Sequence, residues 1–195
     1  AIAIARLATS DPRVAADELE KIKGKLHDSE RQWAWSQIAL QAAKKHLSET
    51  VGWYANAGKA TLSDEAAQWK VRAALRAQEW GVVRDTIEAM QPDLAARPEW
   101  TYWLGRALKS GGRTTEADAL FEKIAGQTNF YGNLADEELG RDILPPPRAR
   151  ATTADEEKTA RDNTGIRRAL AFFRLDLRTE AVKEWNWSLR GMDDR

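Results

Sequence analysis

The chain has 195 residues, enough for one sizeable domain or two small ones. Its 30 Lys and Arg residues balance 30 Asp and Glu residues, so the net charge of zero gives no overall attraction to nucleic acid or to an anionic membrane. Cysteine is absent, which excludes disulfides, thiolate catalysis and cysteine-based metal sites. No apolar run approaches the roughly 18 residues expected of a transmembrane helix.

The first predicted helices lie at the N-terminus. Residues 1–7 are apolar but lack the basic region and cleavage site of a signal peptide, so they predict the end of a helix and a longer parent protein. Asp11 before Pro12 predicts a helix start, because proline at the first helical position sacrifices no hydrogen bond. The buried stripe predicted for this helix consists of Val14, Leu19 and Ile22.

Two helices are predicted between residues 28 and 58. Asp28 or Ser29 is the expected N-cap of the first, which continues to about His46. Ser48 begins the second, which ends near Gly58. The apolar side chains expected along the first of these helices are Trp33, Trp35, Ile38, Ala39 and Ala42.

Ser63 starts the next predicted helix. Acidic residues follow this serine directly and suit the positive end of the helix dipole. A further helix begins near Trp80. Pro92 and Pro98 predict a loop between them, because a proline disfavours helix at the residue before it.

Residues 98–124 resemble one tetratricopeptide repeat, with Gly112 at the turn between two helices and Ala117 as the small residue at their crossing. The pattern returns every 34 positions, most visibly as Trp35, Trp69 and Trp103. A fixed period of this length is typical of stacked helix pairs. The predicted fold class is therefore an all-α, tetratricopeptide-like superhelical array of antiparallel helix pairs.

The last third of the chain contains the predicted domain boundaries. Three prolines at 145–147 favour polyproline II, and the charged stretch 155–161 predicts a solvated helix or a loose connector. A final helical hairpin with Ile166, Ala169 and Phe173 repeats the earlier pattern. The predicted segments are a helical superhelix at 1–144, a connector at 145–163 and a hairpin at 164–195.

No residue pattern in the chain predicts catalysis. His27 and His46 are expected at the surface, because their spacing fits no metal motif. The glycine pair 111–112 lacks the lysine of a phosphate loop, and the adjacent carboxylates at 137–138 and 193–194 fit a solvated face. We therefore expect no catalytic residue, no metal site and no cofactor.

Three residues are candidates for a binding surface. Arg72 and Arg106 are 34 positions apart, and Tyr102 lies one helical turn before Arg106. In tetratricopeptide arrays these positions face the concave side, so an anionic or sugar-rich partner could stack on Tyr102. In the alternative interpretation the arginines pair with carboxylates of neighbouring repeats and tie the stack together.

Several motifs in this order resemble the helical part of soluble lytic murein transglycosylases. They are Trp69-x-x-Arg72-Ala73, Trp100-x-Tyr102-Trp103-x-x-Arg106-Ala107, Phe130-Tyr131-Gly132, Arg168-Ala169-Leu170 and Glu184-Trp185-Asn186-Trp187. The likeness covers roughly residues 30–195. It implies a periplasmic parent enzyme that cleaves peptidoglycan between N-acetylmuramic acid and N-acetylglucosamine, leaving 1,6-anhydro ends.

The resemblance carries no catalytic residue to this chain. The family acts through a glutamate in a Glu-Ser motif, and this chain contains no Glu-Ser dipeptide. We therefore expect the segment alone to be inactive, with peptidoglycan glycan strands as partners of the parent enzyme. The alternative is a stand-alone helical-repeat scaffold that binds a protein, and the balanced charge argues against nucleic acid.

Overall fold

The computed structural model describes residues 1–143, 148 and 150–192, so the predicted polyproline segment at 145–147 lies outside the described residues. The backbone divides into two compact units, Ala1–Pro145 and Pro146–Arg195. Throughout the described residues the regular structure is helical, which confirms the predicted all-α fold class. The finer division into three segments stays a prediction.

The described residues form thirteen α-helices and one 3₁₀ turn, Lys23–Lys25. The helices of the first unit are α1 Ile2–Ser10, α2 Pro12–Ile22, α3 Asp28–Lys44, α4 Thr50–Asn56, α5 Asp64–Ala77, α6 Trp80–Glu88, α7 Pro92–Ala95, α8 Pro98–Ser110, α9 Thr114–Phe121 and α10 Phe130–Glu138. The helices of the second unit are α11 Ala154–Asp162, α12 Thr164–Arg174 and α13 Arg178–Ser188.

Helices of the first unit pack as consecutive pairs. Helix α1 packs on α2, α3 on α4, α5 on α6, and α8 on α9. Each pair also contacts the next, through α1 and α3, α3 and α5, and α6 and α8. The first unit is therefore an array in which each pair buries its apolar face against its neighbours.

The 34-residue period corresponds to equivalent buried positions. These positions are Ala39, Ala73 and Ala107 on first helices, Val83 and Ala117 on second helices, and Met90 and Ile124 just after the second helices. The three tryptophans lie on the first helix of successive pairs but at different depths: Trp35 is buried, whereas Trp69 and Trp103 are half-buried. The period therefore predicts the helix pairs correctly, but it does not predict how deeply each tryptophan ring is buried.

Two predicted helix caps are confirmed. The Asp11 carboxylate accepts hydrogen bonds from the backbone N–H groups of Arg13 at 2.9 Å and Val14 at 3.2 Å. The Ser63 hydroxyl accepts from the backbone N–H of Ala66 at 3.2 Å. These bonds satisfy N–H groups that have no partner inside the helix.

Other details of the helix starts were predicted wrongly. His27, rather than Asp28 or Ser29, is the N-cap of α3, because the Glu30 carboxylate reaches back to the backbone N–H of His27 at 2.9 Å. Pro92 and Pro98 do not bracket a loop. Each is the first residue of a helix, where its missing N–H costs nothing.

The buried face of α2 differs from the prediction at one residue. Val14 is exposed, whereas Leu19 is buried and Ile22 packs against the core, as predicted; Ala15 and Ala16 also face the core. Small alanine side chains at this face leave room for the neighbouring helices α1 and α3, which both pack on α2. The valine lies on the solvent side of the same turn.

The packing of α8 on α9 involves a glycine. A Cβ atom at Gly105 of α8 would lie 2.5 Å from Cε1 of Phe121 on α9. Phe121 is fully buried. Gly105 therefore provides the space for this ring, beside the small Ala117 that was predicted at the crossing.

The ends of α5 and α8 show the repeat in the backbone. Gly112 follows α8 with φ of 79°, and Gln78, 34 residues earlier, caps α5 with φ of 58°. Both values lie in the left-handed region, which glycine adopts without steric cost and glutamine does not. The same left-handed turn therefore follows both helices, without steric cost at Gly112 and with a steric cost at Gln78.

The second unit contains a solvated helix and a hairpin. The charged stretch 155–161 belongs to α11, which begins with a Thr153 and Glu156 capping box and has no buried residue, so a solvated helix is the correct alternative. Helices α12 and α13 pack through Ala169 and Ala181, and Arg168 and Glu184 bridge them at 2.6 Å. Large apolar side chains remain exposed on this hairpin and its turns, namely Leu170, Phe173, Leu175, Leu177, Val182, Trp185, Trp187 and Leu189.

One surface ion pair gives the first unit a pH dependence. The Arg13 guanidinium lies 2.6 Å from the Glu49 carboxylate, and this hydrogen bond lowers the pKa of Glu49 to about 2. A lowered carboxylate pKa stabilises the fold above its unfolded value near 4.5, and the gain is lost as the pH falls toward 2. We expect Glu49→Gln to lower the urea midpoint slightly at pH 7 and not at pH 2. An equal difference at both pH values would contradict this ion-pair contribution.

Candidate binding surface

Arg72 of α5 lies between two indole rings. Its guanidinium carbon is 5.2 Å from the ring centroid of Trp69 and 5.2 Å from that of Trp100. Trp69 precedes Arg72 by one turn on α5, whereas Trp100 lies in the first turn of α8. A cation at this distance from an aromatic face is attracted by the negative charge of the ring. Arg72 thus joins two successive helix pairs.

The two indoles differ in exposure. Trp100 is only 2% exposed, and its Nε1–H has no hydrogen-bond partner within the described chain. Trp69 is half-buried, and the ring of His46 lies 6.1 Å from it. His46 and His27 are both exposed, as expected, and Nδ1 of His46 lies 2.7 Å from the Arg76 guanidinium. The accessible part of this cluster is therefore Arg72, the half-buried Trp69 and His46.

Tyr102 and Arg106 form a separate group on α8. Arg106 donates a hydrogen bond of 3.0 Å to the Tyr102 hydroxyl and pairs with Glu138 of α10 at 2.9 Å. Glu138 also pairs with Lys109 at 2.8 Å. The structure brings Tyr102 and Arg106 together and places Arg72 against other rings.

Tyr102 cannot stack on a sugar as the sequence suggested. Its side chain is 3% exposed, because the rings of Trp103, Phe121 and Tyr131 surround it at centroid distances of 5.2–5.8 Å. Stacking on a ligand needs an open ring face. The predicted role of Tyr102 as a stacking platform is therefore wrong, and the residue belongs to the core of the α8, α9 and α10 group.

Of Arg72 and Arg106, Arg106 forms an ion pair with another helix, as the alternative interpretation predicted. Arg106 ties α8 to α10 through Glu138, and Arg168 does the same within the second unit through Glu184. None of the ion pairs in the described ranges includes Arg72. Arg72 is also exposed. Of the three candidates, it is the one best placed to meet an anionic or polar ligand.

The described residues contain no group of three or more His, Cys, Asp or Glu side chains placed to hold a metal ion. The glycine pair 111–112 forms the turn between α8 and α9, as predicted. The carboxylates 193–194 lie outside the described residues. Among the helices described, none is long and apolar enough to cross a membrane.

Sequence reasoning missed two members of these groups. Trp100 follows Pro98 by two residues, and only the packing of α8 on the preceding pair brings it to Arg72. Glu138 was predicted on a solvated face, but its side chain is 17% exposed and pairs with Arg106, 32 residues earlier in the chain. The spacing of Trp69 and Arg72, one helical turn apart, was the available signal for the cation–aromatic contact.

The fold is that of a helix-pair array seen in a known enzyme structure. The chain is similar to the solved structure of the 70-kDa soluble lytic transglycosylase in complex with bulgecin A, with a TM-score of 0.62 and 19% sequence identity. The similarity covers 97% of this chain and 31% of that chain, so this chain spans less than a third of the length of the enzyme. No protein-family model matches the chain, and no curated protein sequence matches it. At 19% identity, this structural similarity shows a shared helical fold.

Proposed function

We propose that the chain is a non-catalytic superhelical region of a peptidoglycan lytic transglycosylase, which positions the glycan strand or the catalytic domain. The observation that carries this proposal is the fold similarity over 97% of the chain, to only 31% of that enzyme. The ordered motifs around Trp69, Trp100 and Phe130 support it independently. On this proposal the parent protein acts in the periplasm on bonds between N-acetylmuramic acid and N-acetylglucosamine.

In this proposal Arg72 and Trp69 contact the glycan strand. An exposed guanidinium on a half-buried indole offers charge-assisted hydrogen bonds beside an apolar ring edge, which suits a sugar that carries carboxylates and hydroxyls. The ring centroid of Trp100 also lies 5.2 Å from the guanidinium carbon. The arginine is therefore oriented before a ligand arrives, which lowers the entropic cost of binding.

A sedimentation assay with purified peptidoglycan tests this surface. Because a hydrogen bond to a charged group contributes about 1.5–3 kcal/mol, we expect Arg72→Ala to weaken binding roughly tenfold or more. Arg178→Ala, at an exposed arginine of α13, is the matched control and should bind as the unaltered chain does. Equal peptidoglycan binding by both variants would show that Arg72 does not contact the glycan strand.

The same protein preparation tests the non-catalytic role. We expect the chain by itself to release no 1,6-anhydro muropeptides from peptidoglycan, since it has no Glu-Ser motif. Detection of such products by mass spectrometry would overturn this part of the proposal. Absence of any sedimentation with peptidoglycan would leave only a role in positioning another domain.

A protein-binding scaffold is the second candidate. The observation in its favour is the exposure of Leu175 and Trp187 on the α12–α13 hairpin, at 68% and 63%. Exposed apolar patches of this kind often mark protein contacts. A segment encoded after Arg195 that contains the Glu-Ser motif would favour the transglycosylase, whereas a stop codon there would favour the scaffold.

A further inference from the structure

A cleft of about 310 Å³ opens in the first unit between α5, α6 and the segment 57–62. Its volume lies at the lower end of the roughly 300–1,000 Å³ typical of small-molecule sites, so it suits a molecule the size of a monosaccharide or a dipeptide. The polar side chains that line it include Tyr54, Lys70, Asp85, Thr86 and Gln91.

Lys70 supplies a cation that lacks a carboxylate partner. Its ammonium lies 5.9 Å above the Tyr54 ring, and it takes part in none of the ion pairs of the described residues. Burial lowers the pKa of Lys70, and the nearby Asp85 charge opposes that effect. Lys70 is half-buried, and its ammonium has three donors that a ligand can use.

Thr86 on α6 lacks a partner as well. It is 5% exposed, and its hydroxyl makes no hydrogen bond within the part of the chain that the structure describes. Two other polar groups of the cleft wall have hydrogen-bond partners. The Tyr54 hydroxyl donates to the carbonyl of Ala66 at 3.0 Å, and the Asp85 carboxylate accepts from Arg84 at 2.7 Å.

We propose that this cleft binds a small carboxylate ligand, whose carboxylate accepts from Lys70. This site goes beyond the function proposed above. Residues 70 and 72 are about 200° apart around α5, so the cleft lies on a different side of the helix from Arg72. The carboxylate could belong to an acidic amino sugar or to a peptide C-terminus.

Titration of the full chain with three probes tests the site by NMR. N-acetylmuramic acid carries a carboxylate on a lactyl ether, N-acetylglucosamine is its counterpart without that group, and alanylalanine carries a peptide carboxylate. We expect one or both carboxylate probes to shift resonances of Thr86 and Gln91, and N-acetylglucosamine to bind at least tenfold more weakly. Which carboxylate binds identifies the source of the ligand.

Two variants and a control complete the test. Lys70→Met should weaken binding of the carboxylate probe at least tenfold with helical circular dichroism unchanged. Thr86→Val should leave binding unchanged, because the Thr86 hydroxyl has almost no accessible surface. Lys123→Met removes an exposed lysine after α9 and should change nothing. Failure of both carboxylate probes to shift the cleft resonances, equal binding of N-acetylglucosamine, or unchanged binding by folded Lys70→Met would overturn the proposal. Loss of peptidoglycan sedimentation would not affect these outcomes.

Discussion

Phe121→Ala is expected to lower the free energy of unfolding of the first unit by about 3–5 kcal/mol. Phe121 is fully buried and is the largest of the side chains buried to this degree. Its ring fills the space beside Gly105 and lies 5.8 Å from the ring of Tyr102. Truncation removes the transfer free energy of the ring and leaves a cavity that neighbouring helices fill only partly. Urea denaturation followed by circular dichroism measures the loss.

The same substitution at Phe130 is the matched control. Phe130 opens α10 and is 69% exposed, so Phe130→Ala should change the free energy of unfolding by no more than about 0.5 kcal/mol. The prediction concerns the difference between the two variants, which have identical chemistry and opposite burial. Similar losses at both positions would show that Phe121 does not occupy the core described here.

Gly105→Ala is expected to destabilise the first unit, whereas Gly81→Ala should stabilise it. Gly105 lies inside α8 and Gly81 lies in the first turn of α6, and alanine is favoured over glycine in helices by up to about 1 kcal/mol. At Gly105 the new Cβ would lie 2.5 Å from the Phe121 ring, whereas at Gly81 it meets nothing within 4 Å. Overpacking costs roughly 1–3 kcal/mol, which outweighs the gain in helix propensity because the buried ring has little room to move.

A second substitution tests the cause of the Gly105 effect. Phe121→Leu removes the ring atoms that the new methyl group would meet, so Gly105→Ala should cost less in the Phe121→Leu background than in the unaltered chain. Urea midpoints of the four proteins in this cycle give the coupling. An additive result, with no coupling between the two positions, would locate the strain elsewhere.

The helix pairs were predictable from sequence because they leave a periodic pattern. Alanines at 39, 73 and 107 are buried at each return of the pattern, and two N-caps, Asp11 and Ser63, fit the local rules of helix starts. The same rules failed at the start of α3, where the Glu30 carboxylate accepts a hydrogen bond from the backbone N–H of His27 and makes His27 the N-cap. They also failed at Pro92 and Pro98, because a proline disfavours helix at the residue before it but is itself favoured at the first position of a helix.

The candidate surface was less predictable, because exposure depends on neighbours distant in sequence. Arg72 and Tyr102 are both on first helices, yet rings from α9 and α10 cover Tyr102 and leave Arg72 open. No sequence pattern indicated a site at Lys70, because its cleft is formed by α5, α6 and the segment 57–62 together. Periodicity reports which face of a helix points inward, and it does not report how much of that face is covered.

The order of the helix pairs in the first unit bears on how it folds. Each pair contacts the pair next to it along the chain, so the contacts join residues that are close in sequence, and contact order is low. Chains of this kind lose little loop entropy before their contacts form, and they fold quickly. A pair can therefore assemble on its predecessor while the ribosome is still adding the next, without waiting for a distant strand or terminus.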